Sequence, residues 1–149
     1  MTTENKRQAT TGTNRIIVLI TAGSEEEAHK IAELLVEEKK AACVNVVPSV
    51  DSLFRWKGKL DSARESLLLV KTRTSLLSEV ISLVKGIHSY EVPEIIALPI
   101  VGGSEEYLKW LDSACQRRRQ CRRRQDPPLE HRRNLKFQAS NPESHNNIK

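Results

Sequence analysis

Residues 88–99, His-Ser-Tyr-Glu-Val-Pro-Glu-Ile-Ile-Ala-Leu-Pro, put an imidazole, a phenol and two carboxylates directly before an apolar run. His88, Tyr90, Glu91 and Glu94 are too polar for a core, and Ile95 to Leu98 too apolar for a loop. A polar approach that feeds a buried strand is how side chains are placed at the end of a sheet. Imidazole and carboxylate are also common ligands of divalent metals at neutral pH. The plainer reading of the same residues is a surface histidine before an ordinary strand. Other chemistry is absent from the sequence: there is no G-x-S-x-G, H-E-x-x-H or P-loop pattern, and Gly102-Gly103 lacks the spacing of a dinucleotide fingerprint. No nucleophile–base pair is apparent, so the sequence speaks against an enzyme and requires no cofactor.

The elements that would position these groups follow from the hydrophobic pattern. Ile16 to Thr21 is a β-branched run, expected as a strand buried on both faces. Ser24 with Glu27 forms a capping box, and Ala28, Ile31, Ala32 and Leu35 then mark the apolar face of a helix running to about Lys39. Ala41–Trp56 and Leu60–Lys71 are extended and flank a Lys57-Gly58-Lys59 turn. Pro48 lies inside the first arm, which argues for a bend or an edge. Arms of roughly 12 residues at about 3.3 Å each span roughly 40 Å, more than a typical domain sheet uses, so part of the hairpin should project. A projecting apolar hairpin calls for pairing within a symmetric oligomer. Leu77, Val80, Ile81 and Val84 predict a second helix with Gly86 at its C-terminal cap. Ile95–Ile100 is the next strand. A last helix is expected with Ser104 as cap and Tyr107, Leu108, Leu111 and Ala114 on its apolar face. The order βαββαβ plus a C-terminal helix is the α+β, ferredoxin-like sandwich. Its two helices cover one sheet face and leave the other for a partner.

Charge divides the chain. Its net charge is +5, but residues 115–149 hold ten Lys and Arg against three Asp and Glu, leaving 14 basic and 16 acidic residues before them. The expected organisation is a disordered leader over 1–14, one domain over 15–114 and a basic, disordered tail over 115–149. Arg117, Arg118, Arg119, Arg122, Arg123 and Arg124 fall within eight residues of that tail. Such a run is solvated or adheres to polyanions, and without interleaved aromatics it does not read nucleic-acid sequence. There is no stretch of ~20 apolar residues that would span a membrane. Three cysteines without a C-x-x-C pair fit reduced thiols in a cytoplasmic setting. Cys43, among Ala41, Ala42 and Val44, is best explained as a small buried thiol.

Taken in order, Ala41-Ala42-Cys43-Val44-Asn45, Ser52-Leu53-Phe54-Arg55-Trp56-Lys57-Gly58, Lys71-Thr72, His88-Ser89-Tyr90-Glu91-Val92-Pro93-Glu94-Ile95 and Tyr107-Leu108-Lys109-Trp110 resemble the CutA family of divalent-cation tolerance proteins over residues 15–114. The resemblance implies a non-catalytic homotrimer with interlocked hairpins, binding copper(II) or another divalent metal in metal tolerance. It places His88 and Glu65 at metal-associated positions, where a cation site and a His–Glu hydrogen bond ordering the loop are the two readings. It sets Tyr90, Glu91, Glu94, Trp56 and Lys71 along an inter-subunit cleft or its rim. Two departures stand out: Ile20 occupies a position where bacterial members can carry a thiolate, and Ser89 replaces the usual proline. The serine should leave the loop after His88 less fixed. Two other functions fit the same scaffold. One is a regulatory module, resembling nitrogen-regulatory sensor proteins, with a small anionic ligand in the clefts. The other is polyanion binding by the tail.

Overall fold

The computed structural model describes residues 13–116. Residues 1–12 and 117–149, with nearly all of the expected leader and all six arginines of the basic run, lie outside the described residues. Strand β1 (Arg15–Ala22) leads through Gly23-Ser24 into helix α1 (Glu25–Glu37). The hairpin strands β2 (Cys43–Trp56) and β3 (Lys59–Arg73) follow. A 3-10 turn (Thr74–Leu76), helix α2 (Leu77–Ile87), strand β4 (Ile95–Pro99) and helix α3 (Glu105–Ala114) complete the order. The sheet runs β2-β3-β1-β4 with every pair antiparallel, which is the ferredoxin-like arrangement expected from the sequence.

One face of this sheet carries the core. Ile16, Val18 and Ile20 of β1 and Leu68 and Val70 of β3 pack against Ala28, Ile31 and Leu35 of α1 and Val80 and Val84 of α2. The opposite face is incompletely covered. Ile17, Leu19 and Leu69 are only half-buried, while Ile96 and Leu98 of the edge strand β4 are about half exposed. The described residues therefore do not bury β1 on both faces. Its side chains alternate, and the second row has no full cover among them.

The hairpin is as long as its pattern predicts. Lys57 and Gly58 form the turn with φ of 48° and 77°. This is the left-handed pair of a two-residue hairpin loop, where glycine carries no steric penalty. β3 pairs with β1 only from Ser66 to Arg73, so Lys59 to Glu65 and the facing stretch Val50 to Trp56 extend past the sheet. Leu53 and Leu60 on this extension are 71% and 73% exposed. Pro48 falls where the register shifts between Val47 and Val50, a bulge that needs no ladder donor from it. Ser66 Oγ donates to the Pro48 carbonyl at 3.0 Å and holds the bulge to the opposite arm.

Several helix ends differ from their sequence expectations. Helix α1 stops at Glu37, because Lys39 turns left-handed with φ of 56°. The amides of Lys40 and Ala41 then fold back onto the Leu35 carbonyl, as in other left-handed helix endings. Gly86 lies inside α2 and does not cap it; the helix runs to Ile87 and ends at His88, whose backbone is extended. Ser104 precedes α3 without a capping hydrogen bond from its side chain. α3 is instead tied by Asp112, which accepts from Nε of Arg15 at 3.0 Å, and by Leu111, which packs with Leu76 and Cys115. Cys115 is thus part of the packed domain. Gln116 continues it, donating its amide to the Lys39 carbonyl at 2.9 Å while its own carbonyl accepts from Lys40 Nζ at 3.0 Å. Lys40 is nearly buried, and Glu79 lies 3.5 Å from its ammonium.

Candidate functional site

The site forms where the loop after α2 crosses the end of β1 and the start of α1. Helix α2 delivers His88 as its capping residue, with its amide on the Val84 carbonyl at 2.9 Å. The imidazole is fully buried. Its Nε2 lies 2.8 Å from the Thr21 carbonyl, and its Nδ1 accepts the Tyr90 amide at 3.0 Å. A carbonyl can only accept, and an amide N–H can only donate. The two contacts together define a neutral ring with the proton on Nε2.

Glu27 is the carboxylate beside this imidazole. Its Oε1 accepts the Ser89 amide at 2.7 Å and stands 3.4 Å from His88 Nδ1. Its Oε2 accepts the Ser89 hydroxyl at 2.9 Å and the Gly23 amide at 3.3 Å. Ser24 caps α1 as expected, accepting the Glu27 amide at 3.1 Å. The return bond of the capping box is redirected, with the Glu27 carboxylate taking Gly23 and the distant Ser89. Burial by itself would raise the Glu27 pKa. The hydrogen bonds from the Ser89 amide and hydroxyl and from the Gly23 amide outweigh it and hold the carboxyl below its ordinary value. Ser89 therefore does not loosen the loop. In place of the ring constraint of proline, it supplies two donors that fasten the backbone to α1.

Tyr90 completes the arrangement. Its ring lies against His88, centroids 5.1 Å apart and tilted by 54°. Its phenol passes over Gly23 so closely that a Cβ there would sit 3.1 Å from the hydroxyl. That close approach favours glycine at this position. Glu65 on β3 is the carboxylate nearest in effect to the hydroxyl; burial first, then the interaction with Glu65, raise the phenol pKa. Glu65 is itself buried and pairs with Val50 at the hairpin bulge.

His88 and Glu65, expected together, are thus linked only through Tyr90. His88 has no lone pair left for a cation, and Glu65 is engaged by a phenol. The residues as arranged do not fit a metal at this pair, and no group of three His, Cys, Asp or Glu among the described residues could hold one. The direct His–Glu contact involves Glu27, whose partner Ser89 lies 62 positions away and leaves no local sequence signal. Glu91 and Glu94 are exposed and outside the network. Trp56 sits at the hairpin tip opposite Lys59, and Lys71 lies on the open sheet face between Cys43 and Ile17, so neither belongs to this cluster. Cys43 is half-buried beside the Tyr107 hydroxyl, whose pKa is raised by burial and then by the thiol. Cys115 is buried 3.8 Å from Thr72 Oγ1. Burial pushes its thiol pKa up, away from the reactive thiolate.

A ferredoxin-like domain with a projecting hairpin and a loop fastened across the end of β1 defines the structural class. The family model described as CutA1 divalent ion tolerance protein matches residues 16–114, and the chain belongs to that family. The divalent-cation tolerance protein CutA of Thermus thermophilus is 54% identical over 95 residues, covering 64% of this chain and 92% of that protein. The chloroplastic protein CutA of Arabidopsis thaliana is 48% identical over 99 residues, covering 66% of this chain; the match spans only 54% of that relative's length. Among solved structures, the Thermus thermophilus protein superposes with a TM-score of 0.68 at 50% identity, covering 68% of this chain and 99% of that one. CutA1 from Oryza sativa gives 0.68 at 43% identity, covering 72% and 98%. No helix among the described residues is long and apolar enough to cross a membrane.

Proposed function

We propose that the protein serves divalent-cation tolerance as a homotrimer, by binding and not by catalysis. The observation that carries this reading is the hairpin, whose extension past β1 exposes Leu53, Phe54, Trp56 and Leu60. Together with the half-open face of β4 this is more apolar surface than a lone domain of this size keeps in water. A closed ring of copies covers both at once. A relative that shares this fold is named for divalent-cation tolerance, and the His88 imidazole is buried with both ring nitrogens engaged by backbone groups. Copper(II) is the first cation to try. Its uptake depends on donors other than the resting His88–Glu65 pair, brought together by assembly.

Light-scattering mass of the full chain, followed by copper(II) calorimetry on the same sample, tests both halves. Three chains per particle with saturable uptake is the expected result. A monomer overturns the assembly. A trimer that takes up no divalent cation overturns the binding.

A further inference from the structure

We infer that His88 is a positioning residue and not a cation ligand: it latches the α2–β4 loop across the end of β1 and aims the Tyr90 hydroxyl at Glu65. Four observations converge on this. The imidazole is sealed from solvent, so a hydrated ion has no approach to it. Each ring nitrogen already serves a backbone group, Nε2 the Thr21 carbonyl and Nδ1 the Tyr90 amide. The two residues that follow the latch make contacts that depend on where it holds the loop: Ser89 donates twice to Glu27, and Tyr90 lies close over Gly23. Ile20, one residue before the carbonyl that His88 grips, is fully buried and apolar, so no second donor stands behind the histidine.

A metal-bound histidine commonly gives one nitrogen to the ion and the other to an orienting acceptor. Here the orienting acceptor is present, but the remaining nitrogen is spent on Tyr90. Coordination at Nδ1 would have to break the Tyr90 bond, and coordination at Nε2 the Thr21 bond. Each leaves a backbone group unpaired, weakening cation affinity by about tenfold or more per bond. The latch also sets the geometry of its neighbours. His88 anchors the loop one residue before Ser89 and two before Tyr90, so releasing it frees the phenol from the buried Glu65 carboxylate.

The test uses the full chain labelled with nitrogen-15 at its four histidines. Correlation of ring nitrogens with ring protons should show one neutral histidine with a protonated Nε2 and an accepting Nδ1, assigned by its loss in His88→Gln. Equimolar zinc(II), chosen because it is diamagnetic, should leave those shifts unchanged. The Tyr90 phenol, followed by its ring carbon signal, should titrate closer to an ordinary tyrosine in His88→Gln. A zinc-induced shift of either His88 nitrogen overturns the inference, as does a ring protonated on Nδ1. If His88→Gln does not fold, the wild-type spectrum with and without zinc decides alone, with assignment through labelled neighbours. The tautomer is independent of whether the chain takes up any cation, so failure of the proposed function would not be mistaken for failure of the latch.

Discussion

Replacing Ser89 by proline should destabilise this protein. The substitution removes the Ser89 amide and hydroxyl, which reach Glu27 at 2.7 and 2.9 Å. Hydrogen bonds to charged groups contribute roughly 1.5–3 kcal/mol each, and exposure of Ser89 places this pair at the low end, about 3 kcal/mol together. Water would restore part of the lost solvation of Glu27, whose side chain is 15% exposed. Proline also stabilises by restricting the unfolded chain, by about 0.4–1 kcal/mol. The backbone of His88 has φ of -72° and ψ of 138°. Those angles already lie in the region favoured before proline, so the ring would add no strain there. The net loss is about 1–2 kcal/mol. Ser89→Ala, which keeps the amide, should lose about 1 kcal/mol. Urea unfolding of the three proteins, at one fixed protomer concentration because assembly contributes to stability, measures both values. A Ser89→Pro protein as stable as the wild type would overturn the assignment of Ser89 as a tie, since the ring constraint offsets only about 0.4–1 kcal/mol of what the two bonds should contribute.

Glu27 has a folded pKa below its unfolded one. Its contribution is therefore fully present above the unfolded value of about 4.3 and is lost as pH falls through the folded value. Glu27→Gln should lower the melting temperature at pH 7 and differ progressively less from wild type below about pH 4; a constant difference between about pH 7 and pH 3 would count against it. Gly23→Ala should destabilise by about 1 kcal/mol because its Cβ meets the Tyr90 phenol. The loss should be smaller in a Tyr90→Ala background, as read by a double-mutant unfolding cycle. A chain ended at Ala114 should be less stable than one ended at Gln116 by about 2 kcal/mol, the sum expected for one small core side chain and two part-buried hydrogen bonds. It loses the Cys115 packing and both Gln116 bonds, leaving Lys40 to Glu79 alone. Equal thermal midpoints would place the end of the folded unit back at the last helical residue.

The elements are legible in the sequence because their signals are local. Ser24 caps α1 from within its own turn, and the alternation of Leu68 and Val70 with half-buried neighbours sets the face of β3 without reference to anything distant. The hairpin can be read from its length and a Lys-Gly turn, and its projection from arms too long for the sheet. The site is legible only in outline. His88 and Tyr90 are conspicuous by type, but Glu27 is accounted for locally by a capping box, and its second role depends on a partner 62 residues away. Ser89 misleads for the same reason. Backbone freedom alone makes it a loosening residue, whereas the fold supplies an acceptor that sequence spacing cannot reveal. The place of Cys115 in the core is hidden too, because one small thiol after the helical periodicity stops carries no pattern. Only its packing with Leu76 and Leu111 gives it a position there.

The bulge at Pro48 has a consequence for how this hairpin can change length. The register shift between Val47 and Val50 resets the inside–outside phase, so the distal arms are registered independently of the sheet that carries them. Beyond that joint, adding one residue to each arm would turn every later side chain to the opposite face, whereas adding two would keep the faces and move the tip outward by about 7 Å. The reach of the hairpin is therefore quantised in residue pairs. Tolerated insertions and deletions should come as matched doublets on both arms, distal to Val50 and Glu65, and single-residue changes there should be rejected although they touch no core residue.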